Sequence, residues 1–527
     1  MTLALWLGVA GGAVALHLIC RIWLALRSPL LGVPGPWLAR FSDLWYLKTL
    51  LGKRQFATIS RELHQQHGAI IRYGRNRYII DDPDAAKIIY SFTTQFQKSA
   101  WYSTFTTPGV SHLFMERDVK RHAASRKVFQ NTYSMSSLVS YEPYVRICGD
   151  LLGQHLTEFA NVKSTTNGGR PTPLDLTHWL QCYAFDVISG VTFGKRIGFL
   201  DAMQDVGGLM ALLDYATYSS ARMGIYASMR QLLMPLSNKL ASWRGLTPDE
   251  LIEFIVGQVQ QHCGGGGGTG NTKPSTYEIE DGLRGTTVQD PFVAKFSRRH
   301  LEDSESMPMH QIISACIGNI LAGSDTTAIS LSACMFYLLK NSACLQELRR
   351  EVDAIHNTSE VADDRGYISF GTAQKMPYLQ AVIKEALRLH PAVALPLERV
   401  VPVGGATISG TFFPEGTTVG INPWVQHRNK ALFGHDADEF RPSRWLSEDT
   451  EKVALMNRSW MPFGQGTRTC IGRHVSHLEI STLIPRLVRD FDFQLAGKLA
   501  EPGASCDIDN GWFAKQRGFM VTVELRK

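Results

Sequence analysis

The sequence lacks a disulfide framework, a strong charge of either sign and any internal repeat, and each absence removes a class of function. Its nine cysteines, at 20, 148, 182, 263, 316, 334, 344, 470 and 506, are odd in number and scattered. That pattern suits reduced thiols in a cytosol-facing protein rather than a stapled secreted domain. No C-x-x-C or H-x-x-x-H pairing lies near Cys470, so a structural zinc site there has too few ligands. A formal net charge of +6 over 527 residues permits one basic docking face but does not point to nucleic acid. What the chain does have is 44% hydrophobic residues, enough for an extensive core in one large fold or several domains.

The apolar content begins at once. Met1 to Cys20 is almost uninterrupted, with His17 its only acidic or basic side chain, and Arg21, Arg27 and Arg40 follow. A spanning helix needs roughly 20 apolar residues, which this segment reaches. A cleaved signal peptide is the competing reading, but the start Met1-Thr2-Leu3 carries no basic side chain. We expect a signal anchor over residues 1–28, a proline-rich hinge over 29–45 around Pro34-Gly35-Pro36, and a catalytic domain over 46–527. The arginines C-terminal to the apolar run keep that domain in the cytosol.

Beyond residue 45 the patterning is helix-rich. Ile70 to Tyr73 and Arg77 to Ile80 flank Gly74-Arg75-Asn76 as a hairpin. Asp175 to Phe193 and Ala202 to Met234 read as long helical stretches, the second stopped by Pro235. Gly264 to Gly268 open a polar surface loop of about residues 263–287.

Three segments carry chemistry. In the first, Phe463-Gly464-Gln465-Gly466-Thr467-Arg468-Thr469-Cys470-Ile471-Gly472, a cysteine follows a glycine-rich turn and precedes a helix. Unpaired amides at a helix start and a nearby guanidinium both favour a thiolate. A buried structural cysteine is the bland alternative. The second segment lies on a helix from Met309 to Lys340 that is apolar on nearly every face, so it is buried. Between Gln311 and Leu339 its only formal charge is Asp325, followed by Thr326. A buried carboxylate is costly unless paired or solvated, so Asp325 is either a satisfied core residue or a proton-handling group. The third is Glu385-Ala386-Leu387-Arg388, on a helix opened by Pro377 and closed by Pro391. Such a pair at i,i+3 is usually an exposed one worth under about 1 kcal/mol.

Together and in this order, the three segments resemble those of the cytochrome P450 monooxygenases, over roughly residue 45 to the C-terminus. The run Cys470-Ile471-Gly472-Arg473 through Leu478-Glu479-Ile480 to Phe491-Asp492-Phe493 is similar to fungal secondary-metabolism members, the pisatin demethylase group. The resemblance implies a mainly α fold with a small β region and a haem between the Asp325 helix and the cysteine loop. Cys470 is then the axial ligand of the haem iron. Thr326 hydrogen-bonds bound dioxygen and Asp325 relays solvent protons. Glu385, Arg388 and Arg444, the last in Pro442-Ser443-Arg444-Trp445, form a structural network beneath the loop. Arg468, Arg399, His122 and Arg126 are candidates for the haem propionates, with Phe463 beside the haem. His122 stands where the family usually has tryptophan, and Trp445 where it has phenylalanine.

The same resemblance places Ala315, Asn319, Ala322, Val393, Ala394, Leu395, Trp512 and Phe513 around a largely apolar substrate pocket, with Asn319 as an orienting hydrogen bonder. It implies O2 as co-substrate, electrons from NADPH through a cytochrome P450 reductase meeting Lys120, Arg121, Lys127 and Arg473, and residence in the endoplasmic reticulum membrane. A haem-thiolate isomerase or dehydratase, or a non-catalytic haem protein, is the alternative reading.

Overall fold

The computed structural model describes residues 22–105, 112–161, 172–246, 249–263, 290–356 and 366–527, with positions 12, 15, 16, 19 and 20. Helices dominate, with small sheets at the margin. The expected hairpin forms from β1 (Ile70–Gly74) and β2 (Arg77–Ile80). A two-residue strand, β3 (Gln97–Lys98), lies at the far edge of the same sheet.

Helix α1 (Val119–Phe129) is N-capped by Asp118, whose side chain accepts from the Arg121 amide. Helix α2 (Leu176–Phe193) starts at an Asp175 cap and stops at Gly194, whose φ of 81° suits the left-handed terminus. The anticipated long helix after it is instead broken into α3 (Leu209–Met223) and α4 (Arg230–Trp243). The break falls at a 3₁₀ segment, Gly224–Met229, where Tyr226 leaves helical geometry at φ −113° and ψ 51°. Pro235 does not end the helix; it lies within α4. Its missing N–H and the crowding of its ring against the preceding turn are borne on an element with one buried residue, Ala241.

The core is organised by α5 (Met309–Lys340), a helix of 32 residues with the bounds its apolar run predicts. It is about 48 Å long at 1.5 Å per residue. Although long and apolar enough to span a membrane, it is mostly buried inside the protein, packed against α2. Helix α6 (Pro377–Leu389) begins at its proline, which needs no N–H at that position. Strands β4 (Arg399–Val400) and β5 (Thr418–Gly420) complete the sheet in the order β1-β2-β5-β4-β3. Helix α7 (Arg473–Asp490) follows the cysteine loop, and a small hairpin, β6 (Asp507–Ile508) with β7 (Gln516–Arg517), lies near the C-terminus. Both α6 and α7 pack against α5.

Most of the anticipated anchor, residues 1–28, and all of the glycine-rich loop beyond Cys263 lie outside the described residues. The described positions from 12 to 26 are helical, with Leu16, Ile19, Ile22, Trp23, Leu24 and Leu26 exposed.

Candidate active site

The cysteine loop is shaped by its glycines. Gly464 and Gly466 have φ of 70° and 65°, and a Cβ on Gly466 would sit 1.6 Å from the Tyr90 carbonyl oxygen. Only glycine allows that approach. The Cys470 amide donates to Phe463 O at 2.8 Å and closes the loop. Helix α7 then opens at Arg473, directing the Gly472 and Arg473 amides at the Cys470 sulfur. Burial pushes the thiol pKa up, while these amides and the charges of Arg126 and Arg473 oppose the rise.

Cys470 lies deep in the protein, yet its side chain is exposed, whereas Cys148, Cys182, Cys316, Cys334 and Cys506 are buried. Ala322 is likewise exposed midway along the core helix α5. Exposed positions on deeply packed elements mark the walls of an internal cleft. Thr326, one turn beyond Ala322, donates its hydroxyl to the Ala322 carbonyl at 2.6 Å, so Oγ1 has its lone pairs free to accept.

Asp325 points elsewhere. It is 1% exposed and accepts from Gln181 Nε2 of α2 at 2.5 Å. Lys515 Nζ stands 3.1 Å from its Oδ2, in ion-pair contact, and contacts Asp214 of α3 at 2.5 Å. Arg517 then meets Asp214 at 2.6 Å and Asp509 at 2.8 Å, extending the ladder to the exposed β6–β7 hairpin. Burial raises the Asp325 pKa; Lys515 and Gln181 oppose this, and Asp214 adds to it. Neither Lys515 nor Gln181 carries a sequence signal.

The Glu385 network is complete and wholly buried. Arg388 forks onto Glu385 with both contacts at 2.8 Å, and Arg444 Nε donates to Oε1 at 2.8 Å. The Trp445 indole adds 2.9 Å to Oε2 and the Arg441 amide 2.9 Å to Oε1. Asp436 takes a second contact from Arg444 at 3.2 Å. The Arg388 guanidinium also donates to the His427 and Ala437 carbonyls, and His427 Nε2 accepts the Met461 amide just before the cysteine loop. The network is thereby tied to the loop.

The four residues expected at the propionates, three arginines and His122, gather together, joined by one that the sequence did not single out. Arg468 donates to the carbonyls of Glu116, Arg117 and Asp118, Arg126 to Thr469 O at 2.7 Å, and Arg399 to Glu398 O at 2.8 Å. Burial, with the neighbouring positive charges, holds His122 neutral at a pKa of about 3 and brings Arg468 down to about 10. The newcomer is Lys98, 6% exposed, whose pKa falls well below the ordinary lysine value through burial and the charges of Arg399, Arg468 and Arg126. Among the described residues no carboxylate forms an ion pair with Lys98, Arg126, Arg399 or Arg468. Several partly buried cations without a carboxylate in ion-pair contact, near an exposed cysteine, fit a flat dianionic group held by a thiolate.

The substrate-side residues separate into two groups. Val393 and Phe513 form a β-bridge, and the Ala394 amide donates to Trp512 O at 2.9 Å. Val393, Leu395, Trp512 and Phe513 thus share one apolar cluster with Trp101, Phe105 and Phe114. Asn319 is redirected from its expected part: its amide accepts from Tyr133 and donates to Thr192 at 3.3 Å, ties within the core. Ala315 is half-buried one turn earlier on α5.

A mainly helical body with an exposed cysteine on a glycine-rich loop, an exposed Ala322 on its long core helix and a cluster of partly buried cations suits a class of proteins built around a flat anionic prosthetic group. The chain belongs to the cytochrome P450 family, whose model matches residues 33–507. It is 38% identical to a pisatin demethylase of Fusarium vanettenii over 92% of this chain and 87% of that protein. It is 33% identical to the cytochrome P450 monooxygenase cicH of Emericella nidulans, over 97% of both chains. With the cytochrome P450 monooxygenase gsfF of Penicillium aethiopicum the identity is 30%, over 98% of this chain and 97% of the relative. The protein is therefore a cytochrome P450 monooxygenase, of a family that implies haem-thiolate chemistry and dioxygen.

Proposed function

We propose that this enzyme inserts one oxygen atom from O2 into an apolar organic substrate in fungal secondary-metabolite biosynthesis, with electrons from NADPH through a cytochrome P450 reductase. The observation that carries the reading is Cys470, exposed to the cleft yet embraced by the Gly472 and Arg473 amides. Cys470 would hold the haem iron, with Phe463 beside it, and Lys98, Arg126, Arg399, Arg468 and His122 would face the propionates. When bound, the haem supplies reductive activation of dioxygen and transfer of one atom to substrate carbon.

The protein's part is proton control and exclusion of water. Thr326 Oγ1, fixed by the Ala322 carbonyl, sets where a proton is accepted or passed on at the cleft wall. Asp325, whose pKa burial raises against the opposing pull of Lys515 and Gln181, supplies the acid-base group behind it. The cluster of Val393, Leu395, Trp512 and Phe114 favours a bulky non-polar molecule. Demethylation, the activity in the name of the Fusarium relative, is one outcome of such insertion.

The apolar start of the chain supports a single-pass anchor in the endoplasmic reticulum membrane, with the domain 46–527 in the cytosol and 29–45 as its hinge. Leu232, Leu236, Leu240 and Trp243, exposed along one side of α4, suit contact with the same membrane. Lys120, Arg121, Lys127 and Arg473 are all exposed and suit an acidic reductase surface. The reduced, carbon monoxide-bound enzyme should give the red-shifted Soret band of thiolate-ligated haem, and Cys470→Ala should abolish both band and turnover. A normal band from that variant would refute the assignment.

A further inference from the structure

The proline-rich stretch after the apolar start is fastened to the sheet at one residue, Arg72. The Arg72 amide donates to Pro34 O at 2.8 Å, and its Nη2 donates to Leu30 O at 2.6 Å. A Cβ on Gly35 would sit 2.2 Å from the Arg72 carbonyl oxygen, so only glycine lets the hinge lie this close to β1. Leu30 and Val33 are buried in one cluster with Tyr78 and Ile80 of β2. The chain therefore enters the domain on a fixed path rather than through a loose linker.

Arg72 is 2% exposed, with its guanidinium 4.9 Å from the Tyr78 ring centroid. Burial lowers its pKa, and the charge of Arg40, at the end of the 3₁₀ turn Trp37–Arg40 packed on β1, adds to the fall. Among the described residues no carboxylate pairs with either arginine; Asp43, three positions beyond Arg40, turns to Arg77 at 3.8 Å. The Nε of each is buried without a hydrogen-bond partner. Two such cations, each with an unused donor and no counter-charge, are costly until an anion meets them. Side chains three apart eclipse in a 3₁₀ turn, so Arg40 shares its face with Trp37, whose indole is 72% exposed. Trp23, Leu24 and Leu26, just before the hinge, are also exposed. An exposed indole beside an arginine suits a membrane interface, where the ring lies at headgroup level and the cation meets phosphate.

We propose that Arg40, backed by the buried charge of Arg72, binds the phosphate of an anionic phospholipid in the leaflet where the chain leaves the membrane. This rests on the anchor reading above and adds to it a lipid site at the base of the domain. A guanidinium offers parallel N–H groups to two phosphate oxygens, which a lysine in its place does not. The bound anion removes the mutual repulsion of the two arginines. Because Arg72 also holds Leu30 and Pro34, the lipid is tied through it to the hinge.

The test uses the full-length holoenzyme in vesicles of phosphatidylcholine, with and without phosphatidylserine. Phenylglyoxal modifies accessible arginines, and peptide mass spectrometry reads its rate at Arg40, with exposed Arg350 as the reference. We expect phosphatidylserine to slow modification of Arg40 about tenfold, the lower end for a charge-assisted contact. After transfer to detergent, native mass spectrometry should find phosphatidylserine retained on the wild type and about a tenth as much on Arg40→Gln. Arg40→Lys should keep part of it, as a point charge without the fork, and both variants should keep the thiolate Soret band. Equal modification of wild-type Arg40 with and without phosphatidylserine would overturn the proposal, and that measurement depends on no variant. Equal protection of Arg40 by inorganic phosphate in detergent would overturn the lipid as the source of the phosphate. Extraction of the wild-type chain from the vesicles by alkaline carbonate would instead remove the anchor reading itself.

Discussion

Replacing Lys515 by methionine isolates the part that charge plays at Asp325. The two side chains are almost fully buried, at 3% and 1% exposure, with Nζ 3.1 Å from Oδ2. At an effective dielectric constant of about 20, that separation gives an attraction of about 5 kcal/mol before desolvation is counted. Asp214 keeps Arg517 at 2.6 Å when Lys515 is removed, so it is not stranded. Asp325 keeps only the neutral Gln181 amide. An unpaired buried charge typically costs about 3–5 kcal/mol, and the carboxyl escapes that cost by taking up a proton. Burial already raises the Asp325 pKa, and loss of Lys515 removes the main opposing influence.

The folded variant then holds a proton that the unfolded chain releases near the ordinary aspartate value. Stability should fall as pH rises from about 4 up to the folded-state pKa, by about 1.4 kcal/mol per pH unit, while below that window the variant approaches the wild type. Urea midpoints of the holoenzyme between pH 4.5 and 8 read this slope. The double variant Asp325→Asn, Lys515→Met has no carboxyl to titrate and should lack it. In turnover, the acid limb of kcat should move to higher pH in Lys515→Met, since Asp325 ionises later. Parallel stability profiles for the single and double variants would refute the reasoning.

What sequence could and could not disclose follows from the range of the interactions. Helix α5 was legible to its last residue because 32 residues of apolar sequence between Pro308 and Asn341 have one packing solution. Helix α6 was legible from Pro377, and the cysteine loop from its glycines. The weight of Glu385-x-x-Arg388 was not: the spacing is that of any surface pair, and only the fold excludes all water from it and adds the Trp445 indole. Lys98 escaped notice because a two-residue strand has no periodicity, and its partner Arg399 is 301 positions away. Lys515 and Gln181 reach Asp325 from sequence positions 190 and 144 residues away, beyond any local pattern. Pro235 misled because a proline penalises a helix locally, whereas the break was set by the turn at Tyr226.

Further expectations concern the cleft wall and the network beneath the loop. Thr326→Ala should keep the thiolate spectrum but divert reducing equivalents to hydrogen peroxide, measured as peroxide formed per NADPH consumed; wild-type coupling would remove the threonine from proton control. Trp445→Phe tests whether the departure from phenylalanine is passive. The indole N–H is one of five donors on Glu385, and one of two on Oε2, the other being Arg388 Nε at 2.8 Å. Its loss leaves that oxygen with a single donor in a site that admits no water, Glu385 being 0% exposed. A hydrogen bond to a charged group is worth about 1.5–3 kcal/mol, so the variant should lose about 2 kcal/mol, read from the urea midpoint followed by haem absorbance. Glu385→Gln should cost more, about 3–5 kcal/mol, because it strands the Arg388 guanidinium and leaves Arg444 with Asp436 as its one carboxylate. It should therefore accumulate poorly with haem, whereas Trp445→Phe retains a full thiolate band. A Trp445→Phe midpoint equal to that of the wild type would show that four donors already saturate the carboxylate, and that the indole is held there by packing against Phe433 and Met456 alone.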